Sequence, residues 1–505
     1  MKLNQLKAGV VLSYGQTVLN AIITLAYTPI MLRLLGQNEY GIYTMAASMI
    51  SYLGLLNFGL GSSYIRYYTR YQQRGDTNGL AQLNGIFFTV YLVISLVALI
   101  AGLILSTNVS LFYGETLNDT ELRTARILMA VLSCNLMMTF FGTVFTGYIT
   151  ANERFVFQKV VNMGKTVLSP LITIPVLLSG FGSVGMVVVT TAISMTVDIV
   201  NIIFCIRKLK MRFAIRGADF GLLKEIAAYS VFIAINSIVD QVNWQIGKII
   251  LGHYHGAGET AIFGVASQIN TLYINLSTII SSVFIPRIHR LVYASDSQEQ
   301  FDRLFVKIGR IQMLILGLIG SGFIFYGRPF IEIWAGDGYE SAYAMTLLLI
   351  LPGTIPLIQN IGIEIQRAKN MHRFRSVAYL IMAGVNVLIS IPLGNLYGGI
   401  GCAVGTAISM VLSNGLLMNW YYDRKIKLNI KYFWLQIAKM FPGIGLSALI
   451  GIGLHFLIPT ENFWLFLCSG VLYTGVYCVL SWAMIMNRKE KELLISLLRK
   501  VVRKK

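Results

Sequence analysis

The sequence predicts an all-α integral membrane protein of about fourteen transmembrane helices, in two six-helix lobes related as a parallel repeat plus two C-terminal helices. Three observations carry that prediction. Of the 505 residues 55% are hydrophobic and only 12% charged, against roughly 25% charged in ordinary soluble chains, and the mean hydropathy is +0.67. The apolar residues gather into runs close to the ~20 residues that cross a hydrocarbon core. The loops between these runs alternate between strongly basic and basic-poor, as topology in a membrane requires. A soluble enzyme, a disordered chain and a collagen-like fibre are excluded by this composition. A β-barrel is excluded because the runs lack the ten-residue alternation of barrel strands.

Taken in order, the first run is near 10–33. No small-residue cleavage site follows it and it ends in Pro29 and Arg33, so it is read as a span and not a removed leader. Further spans are expected near 41–65, 82–106, 124–149, 157–179 and 184–205. A second set follows near 224–250, 261–285, 305–327, 342–364, 376–393 and 398–419, and a last pair near 434–457 and 463–486. Pro170 and Pro175 in the fifth span, and Pro352-Gly353 and Pro356 in the tenth, free backbone groups and predict bends. The stretch from Glu490 to Lys505 sets Leu493, Leu494, Leu497, Leu498 and Val501 against Lys491, Arg499, Lys500 and Arg503, an amphipathic helix suited to anionic lipid.

Net charge is +19, from 41 Lys and Arg against 22 Asp and Glu. With the N-terminus inside, cytoplasmic loops carry Arg66/Arg70/Arg74, Arg154/Lys159, Arg207 to Arg216, Arg287/Arg290, Arg367 to Arg375, Arg424 to Lys431 and the tail. The opposite loops lean acidic: Glu115, Asp119, Glu121; Glu332, Asp337, Glu340; Glu461. Both termini are therefore expected in the cytoplasm of a bacterial inner membrane. The surplus charge serves topology and lipid, and nucleic acid is not an expected partner.

An internal duplication is legible. Thr191-Ala192-Ile193-Ser194-Met195 recurs as Thr406-Ala407-Ile408-Ser409-Met410, and Gly182-Ser183-Val184-Gly185 resembles Gly398-Gly399-Ile400-Gly401. Arg154-Phe155 matches Arg373-Phe374, and Ala47-Ser48 matches Ala266-Ser267. The expected domains are an N-terminal lobe over 1–220, a C-terminal lobe over 221–430, helices 13 and 14 over 431–487, and the basic tail over 488–505. Two such lobes suit a cavity between them and alternating access by rocking.

Ionisable residues inside spans are costly, so they face a cavity or a partner. The deepest are Lys165, Asp198 and Asp240. Lys165 lies about eight residues, or roughly 12 Å, into its span, and Asp198 lies at similar depth on the next, antiparallel one. Two readings stay open: a buried Lys165–Asp198 pair that holds the lobe together, or a Lys165 that meets an anionic substrate. The seventh span is unusually polar, and Asn236, Asp240, Trp244 and Lys248 share one face at i, i+4 spacing. That face is expected to line a cavity, with Asp240 either binding a coupling H⁺ or Na⁺ or pairing with Lys248; Asp198 is a second ion-coupling candidate. Arg33 and Arg66 close the first two spans. Arg33 falls on the basic-poor side, where topology gives no reason for it. Arg126 and Arg310 read as end-of-span residues that snorkel, and Glu364 and Arg367 as a local pair.

Other chemistry is sparse. Cys134, Cys205, Cys402, Cys468 and Cys478 all sit in apolar runs without a Cys-x-x-Cys pair, and read as small buried hydrophobes. His253 and His255 lack a third metal ligand, and His289, His372 and His455 have no catalytic partners. No metal, catalytic residue or cofactor is expected. No phosphate loop or nucleophile–base constellation occurs, so ATP does not drive the chain directly.

Tyr27-Thr28-Pro29-Ile30-Met31-Leu32-Arg33-Leu34-Leu35-Gly36 followed by Glu39-Tyr40-Gly41-Ile42-Tyr43 resembles the first two helices of bacterial polysaccharide-biosynthesis flippases. These are the Wzx-type branch of the multidrug/oligosaccharidyl-lipid/polysaccharide exporter superfamily. Asp240-Gln241 through Ile249-Ile250-Leu251-Gly252 resembles that family's helix 7, and Phe330-Ile331-Glu332-Ile333-Trp334-Ala335-Gly336 the loop before its helix 10. The resemblance covers essentially the whole chain. It implies translocation of an undecaprenyl-diphosphate-linked oligosaccharide from the inner to the outer leaflet through a cationic cavity, with Arg33, Arg66, Lys165 and Lys248 at matching positions. The last two helices would help accommodate the lipid, and other polysaccharide-assembly proteins are implied partners. The dense buried arginine set of lipid II flippases is missing, which favours capsule or O-antigen repeat units over peptidoglycan precursors. The alternatives are a cation-coupled multidrug exporter of the same superfamily, a membrane polymerase or ligase of the pathway, and a transport-inactive scaffold.

Overall fold

The computed structural model describes residues 5–214, 220–282, 284, 288, 298–369, 371, 373–458 and 462–502. Arg216, Arg287, Arg290, Glu461, His289, His372 and Arg503 to Lys505 lie outside the described residues, as do the side chains of Leu493, Leu497, Leu498, Lys500 and Val501. The described residues form helices and turns, with no strand among them.

The major helices are α1 (Gln5–Leu53), α2 (Leu60–Gln73), α3 (Thr77–Thr107), α4 (Asp119–Ala151), α5 (Phe155–Leu178), α6 (Gly182–Ile203), α7 (Phe220–Tyr254) and α8 (Gly256–Ser282). They continue with α9 (Gln298–Ala335), α10 (Ala342–Ile358), α11 (Asn360–Ala368) and α12 (Arg373–Met410). The last are α13 (Ile430–Ala438), α14 (Phe441–Leu457), α15 (Phe463–Leu480) and α16 (Arg488–Val502). Among the described residues nine helices are long and apolar enough to cross a membrane, or ten when the bent pair α10–α11 counts as one. Two of the nine are stretches of 66 and 54 residues, Ala8–Gln73 and Arg373–Ile426. Each contains a glycine outside helical geometry, Gly36 (φ 74, ψ 169) and Gly398 (φ 58, ψ −140), where the chain turns sharply without a loop. Where the sequence suggests two spans and a connection, one glycine with positive φ does the work.

The expected second span, 41–65, is interrupted. The helix ends at Leu53, and a 3-10 turn over Gly54–Asn57 follows. Phe58 and Gly59 then take positive φ before α2 begins. Gly59 lies so near Ile233 that a Cβ would overlap it, and Asn57 is held by the Tyr91 hydroxyl at 2.7 Å. In the tenth span the bend after Pro356 falls at Gln359, where α10 and α11 meet at 41°. Loss of the proline N–H and ring crowding weaken the last turn there.

The chain divides into two compact units: residues 1–264 with 379–402, and residues 265–378 with 403–505. The first has an aromatic core at one end of α2, α3 and α4. Tyr64 is edge-on to Phe87 at 5.0 Å and gives its hydroxyl hydrogen to Asn84 Oδ1 at 2.6 Å. Tyr68 is edge-on to Tyr148 at 5.4 Å and donates to Asn152. Each buried hydroxyl thus has an acceptor, which offsets its desolvation.

The second unit is built round α9, many of whose residues are buried. Phe305 meets Phe433 of α13 at 4.5 Å, and Tyr477 of α15 donates to the Leu314 carbonyl at 2.9 Å. Cys205 and Cys402 are buried as expected, whereas Cys468 and Cys478 are exposed. Those two belong to the hydrophobic helix α15, which has few buried positions. An apolar run in a membrane chain is wetted by lipid, so hydrophobicity alone does not imply burial.

Candidate functional site

The polar residues of the first unit form a seam within apolar helices, and α7 supplies most of it. Gln241 donates to Ser51 Oγ of α1. Asn243 Oδ1 accepts from Asn386 Nδ2 of α12 at 3.1 Å, and Asn386 in turn accepts from Ser390 one turn on at 2.9 Å. Lys248 Nζ donates to Gln245 Oε1 at 3.2 Å, one turn back on its own helix. Asn236 and Trp244 are half-buried on the same face, and Asp240 is exposed on it. With helical spacing this places amides, an ammonium and a carboxylate along one stripe. On this stripe Lys248 is bonded to a neutral amide and, among the described residues, to no carboxylate.

A second stretch of the seam lies on α4, α5 and α6. Asp198 of α6 is half-buried against Gly142 of α4, where a Cβ would come within 2.5 Å of Oδ1. Only a glycine admits the carboxylate there. Lys165 of α5 is half-buried and bears on Asp198 electrostatically, without a direct ion pair between these two described residues. Beside it, Thr166 donates to Asn20 Oδ1 of α1 at 2.9 Å, and Asn135 donates to Thr191 at 3.0 Å. Arg33 and Arg66 are exposed, on α1 three residues before the Gly36 break and on α2 respectively. The structure thus brings Lys165 near Asp198, and sets Asn236, Asp240, Trp244 and Lys248 on α7.

Arg310 differs from the end-of-span residue expected. Its side chain and that of Glu490 are each only 4% exposed, and Nε meets Glu490 Oε1 at 2.7 Å. The guanidinium also donates to the Gln436 and Ile485 carbonyls at 2.8 and 2.7 Å. Glu490 further accepts from the Asn487 amide, while Asn487 Oδ1 accepts from the Glu490 amide, closing a capping box at the start of α16. The correction has a simple cause: the tail returns to the helix bundle, and a fixed fork of five donors finds carbonyls and a carboxylate there. The Glu364–Arg367 pair is present at 2.7 Å. His253 and His255 each meet a backbone carbonyl, Phe112 O at 2.7 Å and Gly394 O at 2.8 Å.

Sequence reasoning missed several buried or half-buried polar groups. Asn386 and Ser390 carry a faint signal, an i, i+4 polar pair in an apolar run. Gln312 donates to Ser277 at 3.0 Å, and Asn419 Oδ1 accepts from Gln359 at 2.7 Å and Trp434 at 3.2 Å. Single amides in apolar runs carry no periodic signal. Nothing in the sequence marks Glu490 as buried, since it stands between Lys489 and Lys491. Among the described residues no group of three His, Cys, Asp or Glu side chains is placed to hold a metal ion.

The second unit also holds an apolar cavity of about 420 Å³. Its walls include Met313 and Ile324 of α9, Ile355 of α10, Ile437 of α13, and Phe441 and Ile444 of α14. Tyr273, which lines it, spends its hydroxyl on Thr354 at 2.7 Å, leaving an oily interior suited to alkyl matter.

Residues 30–344 match a family model described as "Polysaccharide biosynthesis protein". The "Uncharacterized membrane protein EpsK" of Bacillus subtilis (strain 168) is 20% identical over 497 residues, 96% of either chain. "Teichuronic acid biosynthesis protein TuaB" of the same organism is 22% identical over 251 residues, 48% of this chain and 50% of its own. Among solved structures, the lipid II flippase MurJ in an inward closed conformation is similar with a TM-score of 0.72 at 15% identity, over 94% of this chain and 97% of that one. An inward-facing multidrug resistance MATE family transporter of the MOP superfamily is similar at 0.61 and 15% identity, over 84% and 98%. At such identities the shared property is the fold, an all-helical membrane architecture of the flippase and exporter type.

Proposed function

This chain belongs to the polysaccharide biosynthesis protein family, and from that premise we propose that it is a flippase for an undecaprenyl-diphosphate-linked oligosaccharide repeat unit. The unit moves from the inner to the outer leaflet of the cytoplasmic membrane, to build a capsule- or O-antigen-like surface polysaccharide. The chain is a transporter and not an enzyme, works by alternating access, and holds both termini in the cytoplasm.

The observation that carries this reading is the pairing of two chemistries in one membrane chain. Half-buried cations and amides suit the diphosphate and sugars, and an apolar cavity suits an isoprenoid chain. A diphosphate cannot enter hydrocarbon unpaired, and Lys or Arg donors stabilise it through charge-assisted bonds. We assign that role to Lys165 and Lys248, half-buried within helices, and to Arg33 and Arg66, exposed on theirs. Trp244 and Asn236 offer a stacking face and an amide to sugar. Asp240, exposed among amides, and Asp198, near Lys165, are the groups that would take up a coupling H⁺ or Na⁺. Other polysaccharide-assembly proteins and anionic membrane lipid are its partners.

The test is reconstitution of the full chain in liposomes carrying a labelled polyprenyl-diphosphate oligosaccharide, scored by the fraction reaching the far leaflet. Movement that Lys165→Ala and Arg33→Ala diminish supports the reading, and movement no faster than in protein-free vesicles overturns it. A cation-coupled drug exporter is the second reading, favoured by the likeness to the MATE transporter. That likeness spans less of this chain than the MurJ one, 84% against 94%. An exporter would instead change drug susceptibility and leave surface polysaccharide intact.

A further inference from the structure

The two halves of the sequence repeat a contact, and its helix-start side falls on the repeated words Gly182-Ser183-Val184-Gly185 and Gly398-Gly399-Ile400-Gly401. Gly36 and Gly256 both adopt positive φ, 74 and 77, at the break between consecutive helices. Three residues after each stands a glutamate, Glu39 and Glu259. Glu39 Oε1 accepts from the Ser183 amide at 2.6 Å and the Ser183 hydroxyl at 2.9 Å. Glu259 Oε1 accepts from the Gly399 amide at 2.8 Å. Ser183 opens α6, and Gly399 opens the part of α12 beyond its own break. In both places the preceding glycine has positive φ, Gly182 at 57 and Gly398 at 58. A Cβ on Gly182 would overlap the Glu39 carboxylate, and one on Gly398 would lie 2.8 Å from Glu259 Oε1. All four positions belong to the first compact unit.

We infer that Glu39 and Glu259 are a duplicated pair of latches, each fastening the helix after a glycine break to the start of a later helix so that the two move as one part. The first amides of a helix have no acceptor within it, and in a membrane chain water is scarce to supply one. A carboxylate at that end satisfies the amides and meets the positive end of the helix dipole. The glycines make room for the carboxylate and permit the turn that aims the amides at it. Close packing stiffens the same joints: Gly41 lies so tightly against the Ala257 carbonyl that a Cβ would overlap it. A flexible glycine break followed by a fixed carboxylate contact lets the chain turn while the joined ends stay rigid.

Hydrogen–deuterium exchange on the purified full chain in nanodiscs tests this without any substrate. Glu39→Ala is expected to speed exchange over residues 182–186 roughly tenfold, the size expected from one lost hydrogen bond, and to leave 399–403 unchanged. Glu259→Ala is expected to do the reverse. Glu39→Gln and Glu259→Gln keep an acceptor oxygen and are expected to stay within about threefold of the parent, and they supply the readout if an alanine variant fails to accumulate. Unchanged exchange in the alanine variants, or equal loosening of both segments by either one, overturns the latch. A Glu39→Cys/Ser183→Cys pair closed as a disulfide separates a latch from a gate. Flipping retained when oxidised supports a joint that stays closed, and flipping lost when oxidised but present when reduced overturns it. This second arm rests on the flippase reading, whereas the exchange arm stands if no lipid-linked oligosaccharide is moved.

Discussion

In the first unit Lys165, Asp198 and Lys248 sit half-buried with amides, hydroxyls or a distant opposite charge around them. In the second unit Arg310 is buried with two carboxylate oxygens and two carbonyls on its guanidinium. Both arrangements place charge within apolar helices, yet they answer the desolvation problem differently. A buried charge with four of its five donors bonded inside the protein, two of them to a carboxylate, serves to fix helices. One that retains unspent donors at the edge of burial is available to a ligand. The difference separates a structural ion pair from binding candidates by bond inventory, where composition treats them alike.

The sharpest way to break this comparison is Arg310→Ala, which leaves Glu490 buried and uncompensated. A loss of about 3–5 kcal/mol is expected, read as a large drop in melting temperature and membrane level. Replacing both partners by apolar residues, Arg310→Met with Glu490→Leu, is expected to recover most of it. Recovery without loss of flipping would assign the pair to architecture alone. Next in size is Gly142→Leu, which drives a side chain into Asp198 and is expected to cost about 1–3 kcal/mol, measured by thermal unfolding in detergent.

Lys165→Ala is expected to change stability by under about 1 kcal/mol, while surface polysaccharide falls and the protein level in the membrane stays normal. A large stability loss would move Lys165 to the structural side, as partner of Asp198. Asp240→Asn is expected to leave folding intact and slow ion-coupled flipping, checked by the response of liposome flipping to an imposed ion gradient. The smallest effect is reserved for Arg70→Ala. Its pair with Glu225 at 3.5 Å is about half exposed on both sides, so about 0–1 kcal/mol is expected, from a double-mutant cycle with Glu225→Ala.

The sequence disclosed much of this because the bilayer constrains it heavily. Long apolar runs identify α3, α4 and α5 to within several residues, since a helix alone satisfies its backbone there. The polar stripe of α7 was legible for the same reason: Asn236, Asp240, Trp244 and Lys248 stand out against hydrocarbon and share a helical period. Arg310 was misjudged because its partner is 180 residues away in the chain, and no local pattern registers such a distance. Cys468 and Cys478 were misjudged because lipid-facing and core-facing residues have the same composition. The breaks at Gly36 and Gly398 were invisible as breaks, since a single residue with positive φ leaves hydropathy unchanged.

What the sequence determined by itself was therefore the class: an all-helical membrane protein, several of its apolar helices, and the family likeness borne out by the match over residues 30–344. These follow from per-residue transfer energies and periodicity, which are local. Only the tertiary structure decided which charges are consumed and which are spared. It spent Arg310 on Glu490, set Asp198 against Gly142, and gave Glu39 and Glu259 the same task in two halves. Those outcomes depend on which atoms lie within about 3 Å of one another across helices, where hydrogen bonds form, and that distance is fixed by packing.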